Sequence, residues 1–152
     1  MRQVPGAPRW LGLAGVLPQL ACFAYAWSGD PAWTGAARIA AGLYAGLILS
    51  FLGGTWWGIA AAAPAAEGRG QLGWVWVAAV TPSLIAFAAG LWWIAHPDQP
   101  QPALAVLAFA LLASPVVDMR LAAMALAPRW WTGLRWPLSL MLGLATLAVA
   151  VR

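Results

Sequence analysis

The segment Leu43-Tyr44-Ala45-Gly46-Leu47-Ile48-Leu49-Ser50-Phe51-Leu52-Gly53-Gly54-Thr55-Trp56-Trp57-Gly58 decides the fold class. It holds no charged residue, and small residues recur at every fourth position: Gly42, Gly46, Ser50, Gly54, Gly58 and Ala62. In an apolar helix such a row lets neighbouring backbones approach, which is how helices associate where lipid removes the hydrophobic drive. On a helix of 3.6 residues per turn a four-residue repeat drifts by about 40° per step. The row therefore winds roughly halfway round, and its ends must meet different neighbours. The segment reads as the central helix of a small membrane bundle. Bulk at Gly54 or Gly58 is expected to force adjacent helices apart, with Ala62 more tolerant.

Composition agrees with a membrane protein. The chain has 152 residues, 63% of them hydrophobic and 8% charged, with a mean hydropathy of +0.78. These values lie outside the range of soluble globular domains. The length suits one all-α integral membrane domain, 1–152, in which each span needs about 20 residues. Every basic side chain is arginine, which with the abundant alanine suggests a bacterial source. The net charge of +4 is scattered between apolar runs and forms no basic patch, which speaks against a nucleic-acid partner. A single cysteine, Cys22, and a single histidine, His96, allow neither an intrachain disulfide nor a usual zinc site. Cys22 reads as small core filler.

Five apolar runs follow in order, at about 10–27, 37–63, 74–95, 103–126 and 134–151. The first follows Arg2 and Arg9 and has some character of a secretory signal, with a small-residue site at Ala24-Tyr25-Ala26. Pro18-Gln19 interrupts it, and a retained helix is the better reading. Ser28-Gly29-Asp30-Pro31 is a turn cluster, and 64–73 is a short polar loop with Glu67 and Arg69. His96 to Pro102 is a proline-rich connector with no helical future. Most of the twelve tryptophans fall near the ends of runs, where an aromatic belt places them; Trp56 and Trp57 do not. Arg2, Arg9, Arg69, Arg129 and Arg135 lie toward one side of a five-helix bundle, with Arg120 near them, against Arg38 and Arg152 toward the other. The positive-inside rule then puts the N-terminus in the cytoplasm and the C-terminus in the periplasm, in a bacterial inner membrane.

The residues also support a resemblance. Tyr44 to Gly58, with its core Ile48-Leu49-Ser50-Phe51-Leu52-Gly53-Gly54 and closing Trp57-Gly58, resembles the signature of the transmembrane protein 69-like family. Leu11-Gly12-Leu13-Ala14-Gly15-Val16-Leu17-Pro18, Pro82-Ser83-Leu84-Ile85-Ala86, Asp118, and then Pro128, Trp130-Trp131 and Leu134-Arg135 resemble its other elements in the same order. The sequence departs from that pattern at Trp56, where a basic or polar residue is expected, and at Gln19, where phenylalanine is usual. The resemblance implies an integral membrane protein of bacterial or mitochondrial membranes and supplies no activity.

Asp118 is the leading candidate residue, because an ionisable group within a span faces the bundle or water. The alternative leaves it solvated at headgroup level. Arg120, two residues on, does not share its face. Arg135, or the indole N–H of Trp131, is the expected partner once the chain turns at Pro128, and such a pair would tie the fourth and fifth spans. Pro18, Gly54, Pro82 and Pro115 fall at one depth in the cytoplasmic half, flanked by Gln19, Thr55, Thr81, Ser83 and Ser114. This layer suggests a small polar cavity with Trp57 as a wall and Asp118 at its mouth. The competing reading is that each kink only improves packing, its freed carbonyl capped by a nearby hydroxyl. His96 and the pair Glu67 and Arg69 read as ordinary loop residues.

Nothing resembles a phosphate loop, a carboxylate pair, a metal cluster or a nucleophile triad, so no enzyme activity, cofactor or metal is expected. The leading function is structural or assembly-related, through packing with a second copy or another membrane protein. The alternative is small-molecule binding or transport through a cytoplasm-facing pocket. The five-span, tryptophan-rich outline is similar to the tryptophan-rich sensory proteins that bind porphyrins, but their Trp-Pro-Pro signature is absent.

Overall fold

The computed structural model describes residues 4–63 and 72–152, and all regular structure in them is helical. The elements are α1 (Gly6–Ala14), α2 (Leu17–Ala26), α3 (Pro31–Ala62), α4 (Gly73–Ala95), α5 (Gln101–Ala123) and α6 (Trp131–Ala150). Four of them, α3 to α6, are long and apolar enough to cross a membrane. The expectation of five continuous spans is corrected at the first, since 10–27 is divided between α1 and α2. Pro18 is the cause: with no N–H it cannot bond the carbonyl of Ala14. The backbone tightens before it, and the Val16 N–H donates to the Leu13 carbonyl at 3.0 Å. Arg2, Glu67 and Arg69 lie outside the described residues.

Helix α3 starts at Pro31, earlier than the expected 37, because Asp30 caps it. The Asp30 carboxylate accepts from the Ala32 N–H at 2.9 Å, and Pro31 has its φ pre-set for the first turn. Its 32 residues rise about 48 Å, more than the roughly 30 Å of a hydrocarbon core, so α3 must tilt or project.

The bundle buries alanines together with leucines and Trp56, and it also turns many large apolar side chains outward. On α3 the inward face is Ala37, Ala41, Ala45, Leu49, Leu52, Trp56 and Ala60, spaced by three or four as one helix face requires. Leu43, Leu47 and Phe51 point away and are 67%, 67% and 69% exposed. In water that surface would be unstable; in lipid it is the solvent-matched side.

The small-residue row leaves the interface as it winds. A Cβ on Gly42 would come within 2.5 Å of the Trp93 ring, and one on Gly46 would lie 3.6 Å from the Ala86 Cβ. Gly54 and Gly58 have nothing within 4 Å, so the expectation that they separate helices of this chain is corrected. Their neighbour Gly53 has that role, for a Cβ there would overlap the Ala79 carbonyl oxygen of α4. The drift of about 40° per step carries the row off the contact line, while the seven residues from Gly46 to Gly53 drift by only about 20° and keep to it.

The most extensive pair is α5 with α6, followed by α3 with α4. Gly143 sits against Leu112, whose Cγ would lie 2.5 Å from an added Cβ. Between α5 and α6 the chain reverses through a C-terminal cap. Ala125 takes a left-handed φ of 55°, and the N–H groups of Leu126 and Ala125 donate to the carbonyls of Leu121 and Ala122, both at 3.0 Å. This is the two-bond closure usually formed around glycine.

Candidate functional site

That reversal brings the start of α6 beside the end of α5, and Asp118 is where they are joined. Asp118 is fully buried at 0% exposure and Arg135 is 7% exposed. Arg135 Nε donates to Asp118 Oδ2 at 2.9 Å. The indole Nε1 of Trp131 donates to Oδ1 at 2.8 Å. The third donor comes from α3, where Trp56 Nε1 reaches the same oxygen at 2.9 Å. One carboxylate thus accepts from three side chains on two other helices. Hydrogen bonds to an ionised acceptor are the strong ones, and a buried charge without them would be prohibitive. Arg120 faces elsewhere, its guanidinium 6.0 Å above the Trp74 ring.

Arg135 begins a polar line along α6. Arg135, Ser139 and Thr146 are all buried, and their spacing of four and seven residues puts them on one helix face. Ser139 Oγ lies 2.9 Å from Ser114 Oγ. Ser114 Oγ in turn donates to the Leu111 carbonyl at 2.8 Å, the group that Pro115 leaves without its helical donor. Thr146 Oγ1 accepts from Gln19 Nε2 at 2.7 Å and donates to the Leu142 carbonyl at 2.7 Å. In an apolar bundle such side-chain pairs fix the register of helices that packing alone would leave free to slide.

The residues expected to share one cytoplasmic cavity lie in separate places, so that cavity is not formed. Gln19 is buried against α6. Thr55 lines a groove between α1, α3 and α6, with its hydroxyl turned back to the Phe51 carbonyl at 2.9 Å. Ser83 lines a different groove, between α3 and α4. Thr81 bonds its own helix at the Val77 carbonyl, 2.7 Å. Trp57 is half-exposed and meets the Trp76 ring edge-on at 4.8 Å, so it walls no interior space. The local-capping reading describes Ser114 alone, which takes the carbonyl that Pro115 frees; Thr81 bonds the Val77 carbonyl while Pro82 frees that of Ala78, and Thr55 makes an ordinary bond one turn back.

The partner of Trp56 is the part of this centre that residue spacing does not assign. The signal was present: an indole far from either aromatic belt needs a buried acceptor, and Asp118 is the acid that lies within a span. His96 is exposed and stacks on Trp92 at 4.0 Å. Cys22 is half-buried beside the smaller core cluster around Ala26 and Val149. Among the described residues no three His, Cys, Asp or Glu side chains converge as metal ligands.

A family model described as a protein of unknown function (DUF3429) matches residues 4–151. No curated protein and no solved structure gives a match.

Proposed function

The chain belongs to the DUF3429 family of proteins of unknown function, and from that premise we propose that it is a non-enzymatic membrane protein acting by association within the bilayer. The partner is a second copy or another membrane protein. The observation that carries this reading is the outward half of the small-residue row. Ser50, Gly54 and Gly58 are exposed, and neither glycine has any atom within 4 Å of its Cβ position. A four-residue row of small side chains on a lipid-facing helix suits close approach of a further helix. The Asp118 centre fits the same role, because its carboxylate is occupied by structural donors rather than aimed at a substrate.

The protein crosses the membrane five times in this proposal, with α1 and α2 as one interrupted span. Gly15 and Val16 between them keep right-handed helical dihedrals. The pair follows α6 along its length, from Gly12 beside Leu138 to Trp27, whose Nε1 donates to the Ala148 carbonyl at 3.1 Å. From Gly6 to Ala26 the rise is about 31 Å, the thickness of a hydrocarbon core. Arg9, Arg120, Arg129 and Arg135 mark the cytoplasmic end, in a bacterial inner membrane, and Arg152 the periplasmic end. The more specific transmembrane protein 69-like assignment belongs to this proposal as well.

Cross-linking in native membranes tests the association. Gly54→Leu and Gly58→Leu should leave the detergent-solubilised protein folded and monodisperse while removing a cross-linked species that the unmodified chain forms. Identical cross-linking with and without the leucines would overturn the reading. Small-molecule binding is the second reading, favoured by the groove that Arg135 lines.

A further inference from the structure

Arg135 uses only part of its guanidinium in the Asp118 centre. Its Nε donates to Asp118, while Nη2 is buried and has no hydrogen-bond partner. A buried N–H of a charged group without an acceptor is strongly unfavourable, so an acceptor is to be expected there. Asp118 does not supply it: Oδ2 already takes Nε, and Oδ1 is shared by two indoles.

Arg135 also lines a groove of about 400 Å³, within the usual range of small-ligand sites. Leu11 and Gly12 of α1 form one side, Phe51 and Thr55 of α3 the other, and Leu138 of α6 the floor beside Arg135. Apart from Arg135 and Thr55 these are apolar, and the Thr55 hydroxyl is already bonded to its own helix. Leu11 and Phe51 are 73% and 69% exposed, so the groove is flanked by surface that faces lipid. Its charged end is the end of the bundle where Arg9, Arg120, Arg129 and Arg135 face Asp118 as the lone described acid. Such an excess of arginine draws anionic lipid.

We infer that this groove binds one anionic phospholipid, with an acyl chain lying between α1 and α3 and a phosphate oxygen beside the Arg135 guanidinium, where a small side-chain shift opens the buried Nη2 to it. The inference rests on the reading that this surface faces lipid, and it specifies the ligand class of the second functional reading. Approach is lateral from the bilayer. The groove excludes an ordinary soluble anion, because its walls would desolvate the anion without covering any apolar part of it.

Native mass spectrometry of the full chain, released from nanodiscs of phosphatidylcholine doped with phosphatidylglycerol, provides the test. The unmodified protein should retain one phosphatidylglycerol with at least tenfold preference over phosphatidylcholine. Thr55→Phe fills the groove from a side chain that bonds only its own helix and takes no part in the Asp118 hydrogen bonds, and it should abolish retention without changing the thermal unfolding of the lipid-free protein. Arg135→Lys keeps a charge for Asp118 but has no second nitrogen, so the tenfold preference should disappear. Equal retention of the two lipids by the unmodified protein would mean that Nη2 holds water, and would overturn the inference. So would retention unaffected by Thr55→Phe but lost in Arg9→Gln, which would show loose surface attraction. A chain recovered without detergent would overturn the membrane reading itself, a different failure from a detergent-extracted chain that retains neither lipid.

Discussion

Removing the Asp118 carboxylate should destabilise the bundle more than any other single truncation. Asp118→Ala deletes the acceptor of three donors and leaves Arg135, 7% exposed, without its counter-ion. Breaking a buried pair from one side costs about 3–5 kcal/mol. Arg135→Leu should lie in the same range, because it leaves the carboxylate held by two neutral indoles. The double variant has no buried charge, so it should fall short of the sum by about 2–3 kcal/mol, the upper part of the range for coupled neighbours. Trp56→Phe keeps an aromatic ring but loses the pyrrole half of the buried indole and with it one donor to a charged acceptor; the donor alone is worth about 1.5–3 kcal/mol, with Trp131 still on the same oxygen and a cavity cost in addition. Reversible unfolding in mixed micelles, titrated with a denaturing detergent and followed by circular dichroism, reads these differences. If Asp118→Ala and Arg135→Leu add to within about 0.5 kcal/mol, the two residues act independently and the reasoning fails.

Other expectations follow from particular contacts. Gly53→Ala should lower the unfolding midpoint clearly, since its Cβ meets the Ala79 backbone oxygen, with overpacking costs of about 1–3 kcal/mol, whereas Gly54→Ala should be neutral in the same assay. Thr146→Val should cost more than Gln19→Leu, because it strands both ends of a buried amide whose Oε1 already lacks a partner. The first should be about 1–3 kcal/mol and the second near zero, as expected when an unsatisfied group is removed with its partner's burden. Ala125→Gly should raise stability by up to about 1 kcal/mol, measured the same way, since the left-handed φ of 55° disfavours a Cβ.

The membrane class, the helix positions and the Asp118 to Arg135 pairing were legible in the sequence because each rests on a local signal: run length, run spacing, and a lone acid in an apolar span. The glycine row was visible, but its orientation was not. Whether Gly53 or Gly54 touches α4 depends on the rotation of α3, and a rotation of one residue moves the contact by about 100°. The polar layer of Gln19, Thr55, Ser83 and Ser114 failed for the same reason. Equal depth was readable from residue counts, but shared facing was not. The division of the first span was hinted at by Pro18-Gln19. Its buried partner Thr146 is 127 residues away, beyond any spacing rule.

The number of membrane crossings tests the account most directly, because the path of α1 and α2 sets the position of both the polar line on α6 and the groove beside Arg135. Single cysteines introduced as Val4→Cys and Arg152→Cys, each in a Cys22→Ala background, can be probed with an impermeant maleimide in intact cells. Five crossings require Arg152→Cys to react from outside and Val4→Cys to react only after the membrane is opened. Reaction of both positions from the same side would leave four crossings, with α1 and α2 lying on the bundle rather than through the bilayer.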